Sequence, residues 1–180
     1  MRRIPLLLAA LAPACHSATV RGPEGVPLPP PAATATLMDS TGARVGVATF
    51  SVVDSGARLG VSVSGLTPGE HGIHIHEQGA CTAPDFASAG GHLNPTGRQH
   101  GLENPAGPHA GDLPNLRVEA DGSADTIFTI SPDLIAGGEG PLFHPGGTAV
   151  VVHAGQDDQH TDPSGSSGTR VACGVVKRGT

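Results

Sequence analysis

The chain alternates between short apolar runs and clusters of turn-forming residues. The runs are rich in Val, Ile, Thr and Ala, the clusters contain Gly, Pro, Asp and Asn, and no long stretch has helical periodicity. About eight runs of this kind predict short strands joined largely as antiparallel hairpins, as in an all-β sandwich or barrel. The predicted strands are 34–38, 45–53, 59–63, 70–77, 116–119, 126–130, 148–153 and 170–176.

One predicted strand, 70–77, has an unusual alternation. Ile73 and Ile75 share one face, and His74 and His76 share the other, because successive strand residues point to opposite faces. The isoleucine face can enter a core. Two imidazoles side by side on the opposite face need a separate explanation.

Three stretches lack strand or helix signals: 78–114, 131–147 and 156–168. The first is rich in Gly, Pro, Asn and His. A structureless loop of this length is uncommon inside a compact domain, and such loops are usually functional or are held by something else. A bound ligand that orders this loop is therefore expected.

The N-terminus predicts a targeting segment. Arg2 and Arg3 precede a short apolar run, Ile4 to Leu11, that is too short to span a bilayer. Small residues then lead to Cys15, as in a bacterial lipoprotein signal. We predict a signal peptide at 1–14, a lipidated Cys15 opening a Pro-rich linker at 15–32, and one folded domain at 33–180; an ordinary signal peptide that happens to contain a cysteine is the alternative.

Composition and charge limit the classes of partner that the protein is expected to bind. The 180 residues carry a formal net charge of −6, which argues against nucleic acid as a partner. Tyr and Trp are absent from the sequence, which removes common interface anchors, so a monomer and a homodimer both stay open. Export would permit a disulfide between Cys81 and Cys173, with two free thiols as the alternative.

The histidines carry the candidate chemistry. A lone histidine is more often a surface or core residue than a ligand, but here six of the ten histidines and one aspartate gather on the long loop and at strand ends. Imidazole favours copper and zinc over calcium and magnesium. These seven residues are His74, His76, His92, His100, His109, Asp112 and His153.

The motifs around these residues resemble those of the copper/zinc superoxide dismutase family, most closely its exported bacterial members. The motifs are, in order, GIHIHEQGAC, GGHLNP, QHG, PHAGD, VVHAG and GTRVACGV, and the resemblance covers about 33–176. It implies an eight-stranded antiparallel Greek-key sandwich or barrel with long metal-binding and active-site loops. It also implies copper and zinc as cofactors and superoxide as the substrate.

The resemblance assigns a role to each matching position. It implies copper ligands His74, His76, His92 and His153, and zinc ligands His92, His100, His109 and Asp112, with His92 bridging the two metals. Asp157 would link His74 to His100, and Cys81 and Cys173 would form the family's disulfide. The catalytic pair would be Arg170, which attracts superoxide, and His92, which takes up and delivers a proton during one-electron cycling of copper.

The sequence thus predicts an exported superoxide dismutase of the periplasm or cell envelope, attached to a membrane only through Cys15. The main alternative is a copper-binding module on the same fold, which would be expected to have lost a copper ligand or the active-site arginine. A copper-only enzyme is a second alternative, against which His100, His109 and Asp112 speak. A purely structural lipoprotein would leave the histidines unexplained.

Overall fold

Ten short strands make up most of the regular structure in the computed structural model, which describes residues 31–54, 56–138 and 140–179. They are β1 (Ala33–Asp39), β2 (Arg44–Val53), β3 (Gly56–Val63), β4 (Gly69–His71), β5 (Ile73–His76), β6 (Leu116–Val118), β7 (Ala124–Ile130), β8 (Ala149–His153), β9 (Arg170–Val175) and β10 (Lys177–Arg178). Four single-turn 3₁₀ helices lie between them, at Ala87–Ala89, Pro132–Leu134, Ala136–Gly138 and Pro141–Phe143.

The sheet order places strands that are distant in sequence next to one another. The main sheet runs β5-β8-β9-β1-β2-β3-β7, with β10 beside β1, and β4 pairs with β6 in a small second sheet. Every pairing is antiparallel. Because β9 returns beside β1 and β7 beside β3, the connections are of the Greek-key type. The predicted all-β antiparallel fold is confirmed.

Strands β5 and β8 separate two buried regions. Ile73 and Ile75 are fully buried and pack in the main core with the β8 side chains Val150 and Val152. Burial of an isoleucine stabilises the fold by about 1.5–3 kcal/mol. On the other side of β8, Val151 belongs to a smaller apolar cluster with Phe86 and Ala89 of the long loop. The face that carries the strand histidines is therefore covered by the loop rather than by solvent.

Two features differ from the sequence prediction. The predicted strand 70–77 is interrupted at Gly72, which donates to the Gly155 carbonyl and accepts from His153 N, at 2.8 Å each. A Cβ at Gly72 would lie 2.7 Å from the Cβ of Ser167, so the close approach requires glycine. The second difference is β10, whose two exposed residues carry no apolar pattern and were not predicted as a strand.

A disulfide ties the long loop to the sheet. Cys81, near the start of the loop, is bonded to Cys173 of β9, with a Cα–Cα distance of 5.7 Å. The alternative of two free thiols is wrong. The predicted signal segment 1–14, Cys15 and all but the last two residues of the linker 15–32 lie outside the described residues. Within the described ranges, no helix is long and apolar enough to cross a membrane.

Candidate metal centre

The outer edge of β5 anchors the long loop. Ile75 donates to the Gly111 carbonyl at 2.9 Å and accepts from Leu93 N at 2.8 Å. A Cβ at Gly111 would lie 2.1 Å from the Ile75 carbonyl oxygen, so glycine is needed for this approach. These bonds lay two loop segments beside β5, and two isolated bridges follow from them: His76 with His92, and His74 with Asp112.

Four imidazoles converge at one point, and we call them the strand cluster. One ring nitrogen from each lies within 4.8 Å of the others, and all four residues are buried. Its members are His74 and His76 of β5, His153 at the end of β8, and His92 of the loop. The β8–β9 register shifts between Val152 and His153, and an irregularity of this kind re-aims a side chain.

Three nitrogens of the strand cluster are buried without a hydrogen-bond partner: His74 Nδ1, His76 Nε2 and His153 Nε2. The opposite nitrogen of each ring is bonded, to Asp157 Oδ2 at 2.6 Å, the Gly90 carbonyl at 3.0 Å and the Gly168 carbonyl at 3.1 Å, respectively. An unsatisfied buried polar atom costs about 1–3 kcal/mol. Three such atoms at one point fit a transition metal that favours imidazole.

The second group, which we call the loop cluster, lies entirely within the long loop. It consists of His92, His100, His109 and Asp112. Asp112 Oδ1 lies 2.8, 3.1 and 3.2 Å from the Nδ1 atoms of His92, His100 and His109, in that order. Three imidazole nitrogens and one carboxylate oxygen around a point form a donor set suited to zinc. Asp112 Oδ2 also accepts from the backbone of Gly101 and His109, which fixes its orientation.

Asp157 joins the two clusters from behind. Its Oδ2 accepts from His74 Nε2 at 2.6 Å, and its Oδ1 lies 3.0 Å from His100 Nε2. The backbone of Asp157 is held by Asn115, whose amide donates to its carbonyl and accepts from its N–H, at 2.8 Å each. Carboxylates that bind the outer nitrogen of a ligating histidine fix its ring orientation.

The two clusters differ in their affinity for protons. Burial lowers the pKa of His74 to about 3, that of His76 to about 2 and that of His153 to about 4. Burial would also lower the pKa of His100, but its hydrogen bonds with Asp112 and Asp157 raise it to about 9. At physiological pH in the metal-free protein, His74, His76 and His153 are thus neutral, whereas His100 carries a proton on both ring nitrogens.

Arg170 is fixed beside the strand cluster by two backbone carbonyls. Its Nη1 donates to the Phe86 carbonyl at 2.6 Å and its Nη2 to the Gly90 carbonyl at 2.7 Å. The Gly90 carbonyl also accepts from His76 Nδ1. One loop residue therefore positions both the guanidinium and an imidazole of the cluster.

The other described histidines lie outside both clusters. His71 is buried, and its ring nitrogens bond the His153 carbonyl at 2.6 Å and the Thr67 carbonyl at 2.8 Å. His160 pairs with Glu103 at 3.0 Å on the surface. His144 joins neither candidate metal group. His16 lies outside the described residues.

Sequence reasoning missed the residues that support the clusters through the backbone. Gly90 and Gly168 act through their backbone carbonyls, and Asn115 holds the backbone of Asp157. Such contacts leave no spacing pattern in the sequence. The sequence predicts no role for Asp162, yet its Oδ1 accepts from His100 N at 2.6 Å. The only sequence signal was its position in the loop that also carries Asp157.

Comparisons with known proteins agree with this geometry. The family described as "Copper/zinc superoxide dismutase (SODC)" matches residues 44–176. "Superoxide dismutase [Cu-Zn] 1" of Aquifex aeolicus is 44% identical over 146 residues, which cover 79% of this chain and 86% of the relative. A solved superoxide dismutase-like protein from Bacillus subtilis aligns with a TM-score of 0.73 at 42% identity, covering 79% of this chain and 96% of that one. The Cu/Zn superoxide dismutase from Brucella abortus aligns with a TM-score of 0.62 at 31% identity, covering 80% and 98%.

Proposed function

The chain belongs to the copper/zinc superoxide dismutase family and is a superoxide dismutase that binds copper and zinc, and on that premise we propose that it is exported and works by one-electron cycling of copper. The activity converts two superoxide anions and two protons into oxygen and hydrogen peroxide. For this reaction the protein must bind two metals, attract an anion and supply protons.

The strand cluster holds copper and the loop cluster holds zinc. The observation that carries this assignment is the set of three buried, unpartnered nitrogens on His74, His76 and His153. These nitrogens would offer three neutral imidazoles to copper, and the strand cluster contains no carboxylate. The loop cluster contributes the carboxylate of Asp112, and zinc accepts mixed nitrogen and oxygen ligands.

His92 belongs to both clusters and is the proton carrier. Its Nδ1 faces Asp112 Oδ1 at 2.8 Å, which leaves Nε2 for the strand cluster. Bound copper supplies the one-electron oxidation and reduction of superoxide, whereas zinc has no accessible redox state. His92 Nε2 holds a proton in one half of the reaction and gives it up in the other.

Arg170 attracts the substrate anion. The chain has a net charge of −6, so general attraction of superoxide is not expected. A fixed local charge in a cleft can outweigh net charge for a small anion. The carbonyls of Phe86 and Gly90 hold the guanidinium in place.

The first test measures superoxide consumption and metal content together, in wild type, His153→Ala and the control His160→Ala. Wild type should contain near-equal copper and zinc, and His153→Ala should lose copper and at least about 100-fold of its activity, since it removes a ligand atom. His160→Ala removes a surface histidine and should behave as wild type. A fully metal-loaded but inactive wild type would contradict the enzyme and favour a copper-binding module.

The N-terminal pattern supports the proposed export, and the disulfide agrees with it. Disulfides persist in oxidising compartments and are rare in the cytosol, and Cys81 and Cys173 are joined by such a bond. With Cys15 lipidated, the domain would be tethered in the periplasm or cell envelope through the linker 15–32. Cys15→Ser should move the protein from the membrane fraction to the soluble fraction; an unchanged distribution would contradict lipidation.

A further inference from the structure

The outer ring nitrogens of the two clusters are almost completely accounted for. His74 and His100 bond Asp157, and His76 and His153 bond backbone carbonyls. His92 uses its two nitrogens toward the two clusters. The remaining outer nitrogen is His109 Nε2, and a ligating histidine almost always finds a carboxylate, carbonyl or water for that position.

The group that faces His109 Nε2 is Asp162. Its Oδ1 lies 3.8 Å away, which is longer than a hydrogen bond but within the range of an ion-pair contact. The same oxygen accepts from His100 N at 2.6 Å. One carboxylate oxygen therefore contacts two members of the loop cluster, one through the backbone and one through the ring.

Asp162 comes from a different loop than the cluster it contacts. It lies in 156–168, whereas the loop cluster lies in 78–114. Asp157, five positions earlier, holds His100 from the same loop. The half-exposed side chain of Asp162 makes these contacts at the rim of the loop cluster, whereas Asp157 is buried.

We propose that Asp162 is a positioning residue of the zinc site, which orients His109 through the charge of its carboxylate and holds the backbone at His100. The negative charge favours the ring form with its proton on Nε2, so that Nδ1 faces the other members of the loop cluster. This inference rests on the proposed assignment of zinc to the loop cluster. It adds a second carboxylate of loop 156–168 to the support of that cluster.

The test measures zinc affinity of the purified full chain by competition with a chromophoric chelator, in wild type, Asp162→Asn, Asp162→Ala and Asp158→Asn. Asparagine keeps an oxygen that can accept from His100 N but removes the charge, whereas alanine removes both. Asp158 lies in the same loop, and its Oδ1 accepts from the backbone N–H groups of His160 and Thr161, so Asp158→Asn is the control with the same change in charge. Cobalt(II) spectra of the zinc-free proteins report the ligand geometry directly.

Asp162→Asn should raise the zinc Kd about tenfold and Asp162→Ala between about 10- and 100-fold, with altered cobalt bands in both, while Asp158→Asn stays within about twofold of wild type. A zinc Kd of Asp162→Asn within about twofold of the control would overturn the proposal, even if Asp162→Ala binds weakly. Wild type that takes up no zinc would remove the zinc assignment itself. Normal zinc uptake by wild type and by all variants would remove only the role of Asp162.

Discussion

The strand cluster and the loop cluster share His92 but are built from different kinds of backbone. Three of the four strand-cluster residues lie on β5 and β8, whose ladder fixes them through the register of their neighbours. The loop cluster lies within the long loop, 78–114. Among the described residues of that loop, the only regular element is the 3₁₀ turn Ala87–Ala89. The sheet therefore preforms one half of the centre, and side-chain contacts with carboxylates hold the other.

The electrostatics follow the same division. The imidazoles of the strand cluster are desolvated and keep their inward nitrogens free. In the loop cluster Asp112 is buried, which would raise the pKa of its carboxyl, but the hydrogen bonds with His100 and His92 hold it well below its usual range. In the metal-free state, the strand cluster thus has unpaired nitrogens that are available to a metal. The loop cluster is held together by hydrogen bonds between a carboxylate and imidazoles.

The largest expected effect comes from Asp157, whose carboxylate bonds His74 of one half and His100 of the other. Asp157→Asn places an amide between His74 and His100, where the native carboxylate accepts from both. Breaking a buried charged pair costs about 3–5 kcal/mol, so the free energy of unfolding of the metal-free protein should fall by that order. Urea unfolding measures it, with Asp158→Asn as the control.

The same variant tests whether the two halves are coupled. Affinity for both copper and zinc should fall, by about 10- to 100-fold each. If zinc affinity falls while copper affinity stays at the wild-type value, Asp157 serves the loop cluster alone and the sheet is sufficient for the strand cluster.

The disulfide comes next, and it should act mainly on the loop half. Replacing Cys81 and Cys173 by serine removes a bond across 92 residues and should lower the free energy of unfolding by about 2–4 kcal/mol. Because Cys81 lies near the start of the long loop, zinc uptake should fall more than copper uptake. Denaturant unfolding and metal analysis check both. Equal losses of the two metals would show that the bond also maintains the sheet.

The smallest expected effect is a difference in the pH dependence of metal binding, measured with each metal alone. Between pH 6 and 8 the strand-cluster residues His74, His76 and His153 are neutral and carry no second ring proton, since their pKa values lie at about 4 or below. His100, with a pKa of about 9, must release one. Zinc affinity should therefore rise by about tenfold per pH unit, whereas copper affinity changes little. A flat zinc profile over this range would contradict the proposed proton on His100.

The sequence was sufficient to predict the part of the metal centre that lies on strand β5. Period-2 alternation placed Ile73 and Ile75 in the core and His74 and His76 on the other face, and the structure confirms both placements. It did not show that Gly72 divides the strand, because that break depends on contacts with Gly155 and Ser167, more than 80 residues away.

The supporting contacts of the loop half could not be read from the sequence in the same way. The motif resemblance named His100, His109 and Asp112, and the structure brings them together with His92. The contacts of Asn115 and Asp162 join residues of two loops, and no periodicity relates their positions. Strand β10 was missed for a similar reason, since its partner is at the other end of the domain, in β1.

That pairing has a consequence for the connectivity of the domain. Gly179 N donates to the Ala32 carbonyl at 2.9 Å, so the two ends of the described domain lie side by side. A short peptide could join them into a ring, and the ring could be reopened at the exposed turn of Thr41 and Gly42, where a Cβ on Gly42 would meet nothing within 4 Å. In such a circular permutant β1 would follow β10 and close the chain, with every strand keeping its neighbours.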